Sequence, residues 1–217
     1  MTRKARADAV GNRQHIVGTA REAFAAEGVD LPMREIARRA GLGIATLYRH
    51  FPTRTDLIRA ALADHVAACR ADMRAAQAEP DAWIALSGAI RRFAEHQIRA
   101  PGLNEALLGS GDAGAAFRDD RLAHAAALEQ LVARAHQQGV LRHGTSAADV
   151  RVALTAISSL RTTQAERRPA AIRTLLDLLL AGLHSTDQRP LGTGRRVWPS
   201  RISPAEPRGD AGVEDAT

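Results

Sequence analysis

The nineteen residues from Met33 to Phe51, MREIARRAGLGIATLYRHF, leave room for little except two short helices and a tight turn between them. Ile36, Ala37 and Ala40 form one apolar face at helical spacing, and Gly41 stands where that helix must stop. Glycine adopts the left-handed backbone that ends a helix and turns the chain without a Cβ penalty. Ile44 to Phe51 then reads as a second helix, with Leu47 and Phe51 on its inner face. Ala37 is small enough for the two helices to cross closely at a steep angle, as in a helix-turn-helix. An ordinary helical hairpin shares this spacing. The outer face is more telling: Thr46, Tyr48, Arg49 and His50 are all polar or cationic. A surface helix of that chemistry can enter a major groove and meet phosphates and base edges.

The runs Ile36-Ala37, Ala40-Gly41, Thr46-Leu47-Tyr48 and His50-Phe51, followed by Arg54, resemble the DNA-binding signature of the tetracycline-repressor (TetR/AcrR) family of bacterial regulators. The resemblance covers roughly residues 12 to 60. It departs at Pro32 and Gly43, where hydroxyl-bearing caps are common. Proline suits a first helical turn and glycine is an accepted N-cap, so phosphate contacts there would come from backbone amides. The resemblance implies phosphate contacts at Tyr48 and His50. Ile44, Ala45, Thr46 and Arg49 are the candidates for base edges: Ile44 or Ala45 against a thymine methyl, Arg49 on a guanine. Arg34 and Arg54 stand near helix N-termini, whose amides and dipole favour phosphate. With Gly43 these complete the expected DNA-binding set. Arg38 and Arg39 fall on the exposed side of the first motif helix and need be no more than solvated.

Charge agrees. The formal net charge is +6, and residues 1 to 60 hold eleven Lys or Arg against six Asp or Glu. Most of the excess therefore lies where phosphate neutralisation would need it. A single cysteine, Cys69, excludes an intramolecular disulfide. The N-terminus has no apolar run of a signal peptide, and no window reaches a membrane span. A soluble, cytoplasmic protein with no membrane partner is expected.

The whole chain reads as all-α. Residues 1–11 are expected as a basic flexible arm and 12–60 as a three-helix helix-turn-helix domain. Residues 61–186 are expected as a helical ligand-binding and dimerisation domain, and 187–217 as a disordered tail. Asn12 is placed to cap the first helix, and Thr53-x-x-Asp56 resembles a capping box for a long fourth helix ending before Pro80. That helix carries Ile58, Leu62, His65, Cys69 and Met73 on one stripe. A fifth helix, about Asp81 to Arg99, carries Trp83, Leu86, Ile90 and Phe93, and a short one with Leu103, Leu107 and Leu108 follows. Gly109 to Ala115 reads as a flexible connector without the spacing of a phosphate loop. Further helices follow over about Arg118–Gln138, after Ser146-x-x-Asp149, and after Pro169. The tail holds four of the nine prolines and almost no apolar residues.

No enzymatic constellation is present: there is no HExxH and no GxSxG, and the lone lysine leaves no SxxK site. Cys69 on an apolar stripe reads as a small hydrophobe. The eight histidines include no pair four apart; His65, His96 and His124 are the set that could converge between helices. Neither a metal nor a cofactor is expected.

The C-terminal part looks like the family's effector-binding and dimerisation domain. Met73, Trp83, Phe93 and Leu107 are candidates to line an apolar cavity, with Gln97 supplying an orienting hydrogen bond. Simple core packing would explain the same pattern. The last helix, with Ile172, Leu176, Leu179 and Leu183, is apolar over more than one face, beyond the stripe that one buried side needs. It is either a central core helix or, with Leu154 and Ile157 of the preceding helix, a dimer interface. The resemblance favours the second, since palindromic operators need two-fold proteins. It implies a homodimeric repressor on double-stranded operator DNA, released by a small organic effector. A constitutive DNA-binding protein without an effector is the alternative.

Overall fold

The computed structural model describes residues 3–104, 108, 111–160 and 164–185. Among these, nine helices follow one another: α1 (Arg3–Glu27), α2 (Met33–Arg39), α3 (Ile44–His50), α4 (Arg54–Ala78), α5 (Ala82–Arg99), α6 (Gly111–Ala116), α7 (Arg118–Gln137), α8 (Ala147–Ser159) and α9 (Arg168–Leu183). The only extended pairing among the described residues is an isolated bridge between Leu141 and His184.

Local chemistry sets most boundaries. Gly41, at φ +67°, ends α2: its N–H reaches the Arg38 carbonyl, and the Leu42 N–H reaches that of Ala37. This paired closure satisfies carbonyls the helix end would otherwise leave open. Thr53 with Asp56, and Ser146 with Asp149, form reciprocal capping boxes at the starts of α4 and α8. Asp81 caps α5 by accepting from the Ile84 N–H.

Two expectations fail. The first helix does not begin at Asn12; α1 already runs from Arg3, so the expected arm is helical over most of its length. Its backbone has no proline or glycine before Gly11 to stop it, and a basic composition is no obstacle to a helix. The Gly109 to Ala115 connector is helical from Gly111. Ala113, Ala115 and Ala116 are strong helix formers. Leu107 and the tail from 187 onward lie outside the described residues.

Two apolar cores lie along α4. The first joins Ile16, Ala20 and Phe24 of α1 with Ile36, Leu47 and Phe51 of the motif and with Leu57, Ile58 and Leu62 of α4. Leu103 and Phe117, from beyond α5, are buried in this same core. The second joins Ala76 of α4 with α5, α7, α8 and α9, around Leu86, Ile90, Leu131, Ile157 and Ile172. One helix thus belongs to both cores, and a displacement of either is felt by the other.

Candidate nucleic-acid interface and internal cavity

The two motif helices meet through buried Ile36, Ala37 and Leu47, with Phe51 closing the far end. That leaves the other face of α3 outward. Ile44 is 40% and Tyr48 46% exposed; Ala45 and Arg49 are exposed, while Thr46 and His50 are half-buried. Gly43 is the N-cap of α3 in extended conformation, and a Cβ there would meet nothing within 4 Å. A groove between α2 and α3 brings Arg34, Arg38, Ile44 and Tyr48 together. Around the other flank, His50 shares a groove with Arg13, Arg21 and Arg59, and the Arg13 guanidinium lies 4.7 Å over the Phe51 ring.

The arginines of this surface are not equivalent. Arg38 forks onto Glu35 through Nε and Nη2, at 2.8 and 2.7 Å. Arg39 bridges Glu35 and Glu27. These hydrogen bonds from Arg38 and Arg39 pull the Glu35 carboxyl down to about 2, so it stays ionised and neutralises part of the cationic face. Arg54 borders the groove between α2 and α3 but is held by partners of its own. Its Nη1 donates to the Leu31 carbonyl at 2.7 Å and its Nη2 to that of Val29. Its Nε lies 3.3 Å from Asp112 of α6. The side chain that follows the motif is thus turned back to tie the loop before α2. The Thr53–Asp56 capping box likewise occupies amides of the α4 terminus. Arg34 and Arg49 are exposed and, among the described residues, have no ion-pair partner.

Between α4, α5, α7 and α8 lies a cavity of about 100 Å³, bordered mainly by Met73, Ile90, Phe93, Leu108, Leu128 and Leu154. Arg121, His124 and Arg151 add polar atoms to an otherwise apolar wall. The His124 Nδ1 faces the Asp120 carbonyl at 2.8 Å; its Nε2 is buried without a partner among the described residues. Of the residues expected from the sequence to line a cavity, Met73 and Phe93 are there. Trp83 is not: it packs against His184, ring centroids 4.3 Å apart and planes tilted by 59°, at the far end of α5. Gln97 is fully buried but outside the cavity, donating to the Ser158 carbonyl and accepting from Asn104, both at 3.1 Å. The stripe that joins Trp83 to Gln97 is longer than the cavity, so its two ends fall beyond it. Arg121 and Arg151 escape a sequence reading because charged residues on a helix read as solvated; His124, expected with His65 and His96, borders this cavity.

Most of the residues expected at a dimer interface are internal. Ile157 and Ile172 are fully buried within the chain, Leu154 and Leu176 nearly so. They form the second core with α5 and α7, which take the buried side of both last helices. Leu179 and Leu183 are half-buried against the same core. The large apolar side chains left exposed on α8 and α9 are Val152, 69% exposed, and Leu178, 67% exposed.

Known proteins place this architecture. Residues 16–61 match the family model for bacterial regulatory proteins of the tetR family. Residues 79–185 match the C-terminal domain of SbtR-like transcriptional regulators. A TetR transcriptional regulator of Streptomyces coelicolor, SCO0520, is 34% identical, with a TM-score of 0.51 over 81% of this chain and 99% of that one. The HTH-type transcriptional regulator SrpR of Pseudomonas putida is 27% identical over 190 residues, 87% of this chain and 83% of that protein. A Staphylococcus aureus HTH-type regulator, SAB2452, is 47% identical over 53 residues, but this match spans only 24% of the chain and 29% of that protein. An all-helical chain with a helix-turn-helix head and a helical C-terminal domain is therefore a DNA-binding transcriptional regulator and not an enzyme. It belongs to the TetR family. Among the described residues no helix is long and apolar enough to cross a membrane.

Proposed function

We propose that the protein is a homodimeric repressor that binds a pseudo-palindromic operator and leaves it when a small organic effector enters the helical domain. The observation that carries this reading is the arrangement around α4. Its first half is buried in the core of the DNA-binding head and its second half borders the internal cavity. A molecule that widens the cavity must displace α4, α5, α7 or α8, and a shift of α4 re-aims α3. Such an effector acts only through its differential affinity for the two states. Val152 and Leu178 supply the outward apolar face on which a second copy can dock.

The base-reading set is Ile44, Ala45, Thr46 and Arg49, with Arg34, Gly43, Tyr48 and His50 on phosphates. The cavity favours a compact apolar body carrying an acceptor group toward His124 and Arg151. At about 100 Å³ the space is smaller than the ~300 Å³ or more typical of ligand pockets. That smallness is what favours the second reading, a constitutive DNA binder without an effector.

Selection of bound fragments from a random DNA pool tests the reading. An inverted repeat with half-sites about one helical turn apart is expected, and Arg49→Ala should relax preference at one position of each half-site. Enrichment of no common sequence would overturn the operator-binding proposal.

A further inference from the structure

His65 and Cys69 lie one turn apart on the same side of α4, with the Cys69 Sγ 3.7 Å from the His65 Nε2. His96 of α5 meets them across the helix pair, its ring edge-on to that of His65 with centroids 5.1 Å apart. One nitrogen of each imidazole and the Cys69 sulfur all fall within 4.8 Å of one another. A tetrahedral zinc ion with Zn–N of ~2.0–2.1 Å and Zn–S of ~2.3 Å holds such nitrogen and sulfur atoms about 3.6 Å apart. The His65–Cys69 separation is already close to that value, and small side-chain rotations would bring in His96.

The surroundings supply what a metal site needs beyond its ligands. The His96 Nε2 bonds the Asp72 carboxylate at 2.8 Å, which leaves Nδ1 as the ring's other donor. A carboxylate behind a histidine fixes its orientation and raises its basicity toward a metal. A small cavity of about 50 Å³ borders Cys69, Asp72, Phe93 and His96, room for a water or another exogenous fourth ligand. We propose that His65, Cys69 and His96 form a three-ligand site for a zinc-class ion, oriented by Asp72 and with its fourth position open to this cavity. A scan for two histidines four apart passes over this set, because the pair on α4 is a histidine with a cysteine.

A metal is held by a neutral imidazole and a thiolate, so binding releases the Cys69 thiol proton to solvent as the sulfur–metal bond forms. The thiolate then offsets one of the ion's two positive charges, and Asp72, which also pairs with Arg92 at 3.5 Å, offsets part of the other.

Loading the site has a structural consequence. The His65 Nε2 also lies 3.2 Å from the Asn104 Oδ1, and Asn104 donates to the Gln97 Oε1 and the Phe93 carbonyl. A metal on Nε2 takes the Asn104 oxygen's partner and loosens the turn that packs beneath the head. Metal binding should therefore change operator affinity. That arm of the test rests on the operator-binding reading; the coordination arm does not.

The experiment uses the full-length, untagged protein stripped by a chelator and titrated with Co²⁺, then with Zn²⁺ in competition with a chromophoric chelator. One ion per chain is expected, with tetrahedral d–d bands and a thiolate-to-cobalt charge-transfer band. Cys69→Ser should abolish the charge-transfer band. His96→Gln should lower Zn²⁺ affinity at least as far as Asp72→Asn, for which a loss of about tenfold to a hundredfold is expected. His143→Gln, on the exposed surface, should change nothing. Circular dichroism of the metal-free variants separates lost coordination from lost fold. Absence of the charge-transfer band in the wild-type protein, or Zn²⁺ binding unaltered in both Cys69→Ser and His96→Gln, would overturn the site whatever the variants' stability. If the site is sound but operator affinity ignores Zn²⁺, the loosened-turn coupling is wrong.

Discussion

Gly102 donates its backbone N–H to the Ala25 carbonyl at 3.1 Å, and a Cβ added to it would stand 1.9 Å from the Phe24 carbonyl oxygen. The turn after α5 is thus pressed against the C-terminal end of α1, a second junction between head and helical domain besides α4. The obstacle is backbone, so it cannot swing aside as a side chain would. Gly102→Ala should cost about 1–3 kcal/mol, in the range of overpacked cores, and should lower the thermal midpoint. An unchanged midpoint would show that this turn is free to move off the head.

Arg54 offers a contrast between a supporting cation and a binding one. Its guanidinium serves the Val29 and Leu31 carbonyls and reaches Asp112. Arg54→Ala would take its donors away from the loop before α2 and leave the Leu31 carbonyl without this bond, at about 1–3 kcal/mol if water cannot reach it. Stability should fall while the salt dependence of operator binding, measured well below the melting temperature, keeps its slope. Arg34→Ala should do the reverse: little change in stability, and a slope of log K against log salt shallower by about 1 for each phosphate left without its cation. Exchange of these two outcomes would reverse the assignments.

Glu35 restrains the same surface. Held down to about 2 by Arg38 and Arg39, it is ionised throughout the neutral range. Because its folded value is depressed, the stabilisation it brings is present above the ordinary carboxylate range and is lost only as pH falls toward 2. Glu35→Gln should free Arg38 to meet phosphates, while Arg39 keeps its Glu27 partner. Affinity for unrelated DNA should rise and the salt slope steepen by about 1. No change in nonspecific affinity would mean that Arg38 does not reach the duplex.

What is legible in the sequence follows from how local its cause is. The Gly41 turn, the two capping boxes and the Leu47–Phe51 face depend on residues within one or two turns of each other, and the structure has them all. The role of Arg54 depends on the Val29 and Leu31 carbonyls more than twenty residues away, which no spacing rule reports. Ile157 and Ile172 point to a partner only if apolarity is taken alone, and apolarity does not say which of two surfaces covers a side chain. Cys69 and His96 lie on different helices, so their approach emerges only when α4 and α5 pack.

The dimer can be tested on the face that the core leaves open. Leu178→Arg places a charge on the exposed side of α9, beside no part of the chain's own core. If a second copy docks there, burying that charge unpaired costs several kcal/mol, and light scattering should report a monomer with unchanged helicity. Ile172→Ala, in the internal core, should instead cost about 2–5 kcal/mol of stability without dissociating folded chains. A Leu178→Arg variant that remains dimeric would move the interface elsewhere.

The cavity yields the prediction that decides between an effector-controlled and a constitutive protein. Its wall is apolar except for Arg121, His124 and Arg151, and Arg151 is exposed where α8 borders it. A compact hydrocarbon body with one carboxylate would bury the first against Met73, Phe93 and Leu128 and present the second to Arg151 and the His124 Nε2. Such acids, screened by thermal shift, should stabilise the protein by about 2.7 kcal/mol when present at a hundredfold their Kd. Because the two equilibria are linked, a true effector must weaken operator binding over the same concentration range. Arg151→Leu should weaken the acid's binding while sparing operator affinity in its absence. Trp83, packed against His184 away from the cavity, should respond little, whereas a tryptophan introduced by Phe93→Trp should respond at the concentrations that release DNA. Acids that stabilise the protein equally in wild type and Arg151→Leu would place the polar contact elsewhere. If no acid, ester or neutral hydrocarbon shifts either the melting temperature or the operator affinity, the small cavity is only a packing gap and the constitutive reading stands.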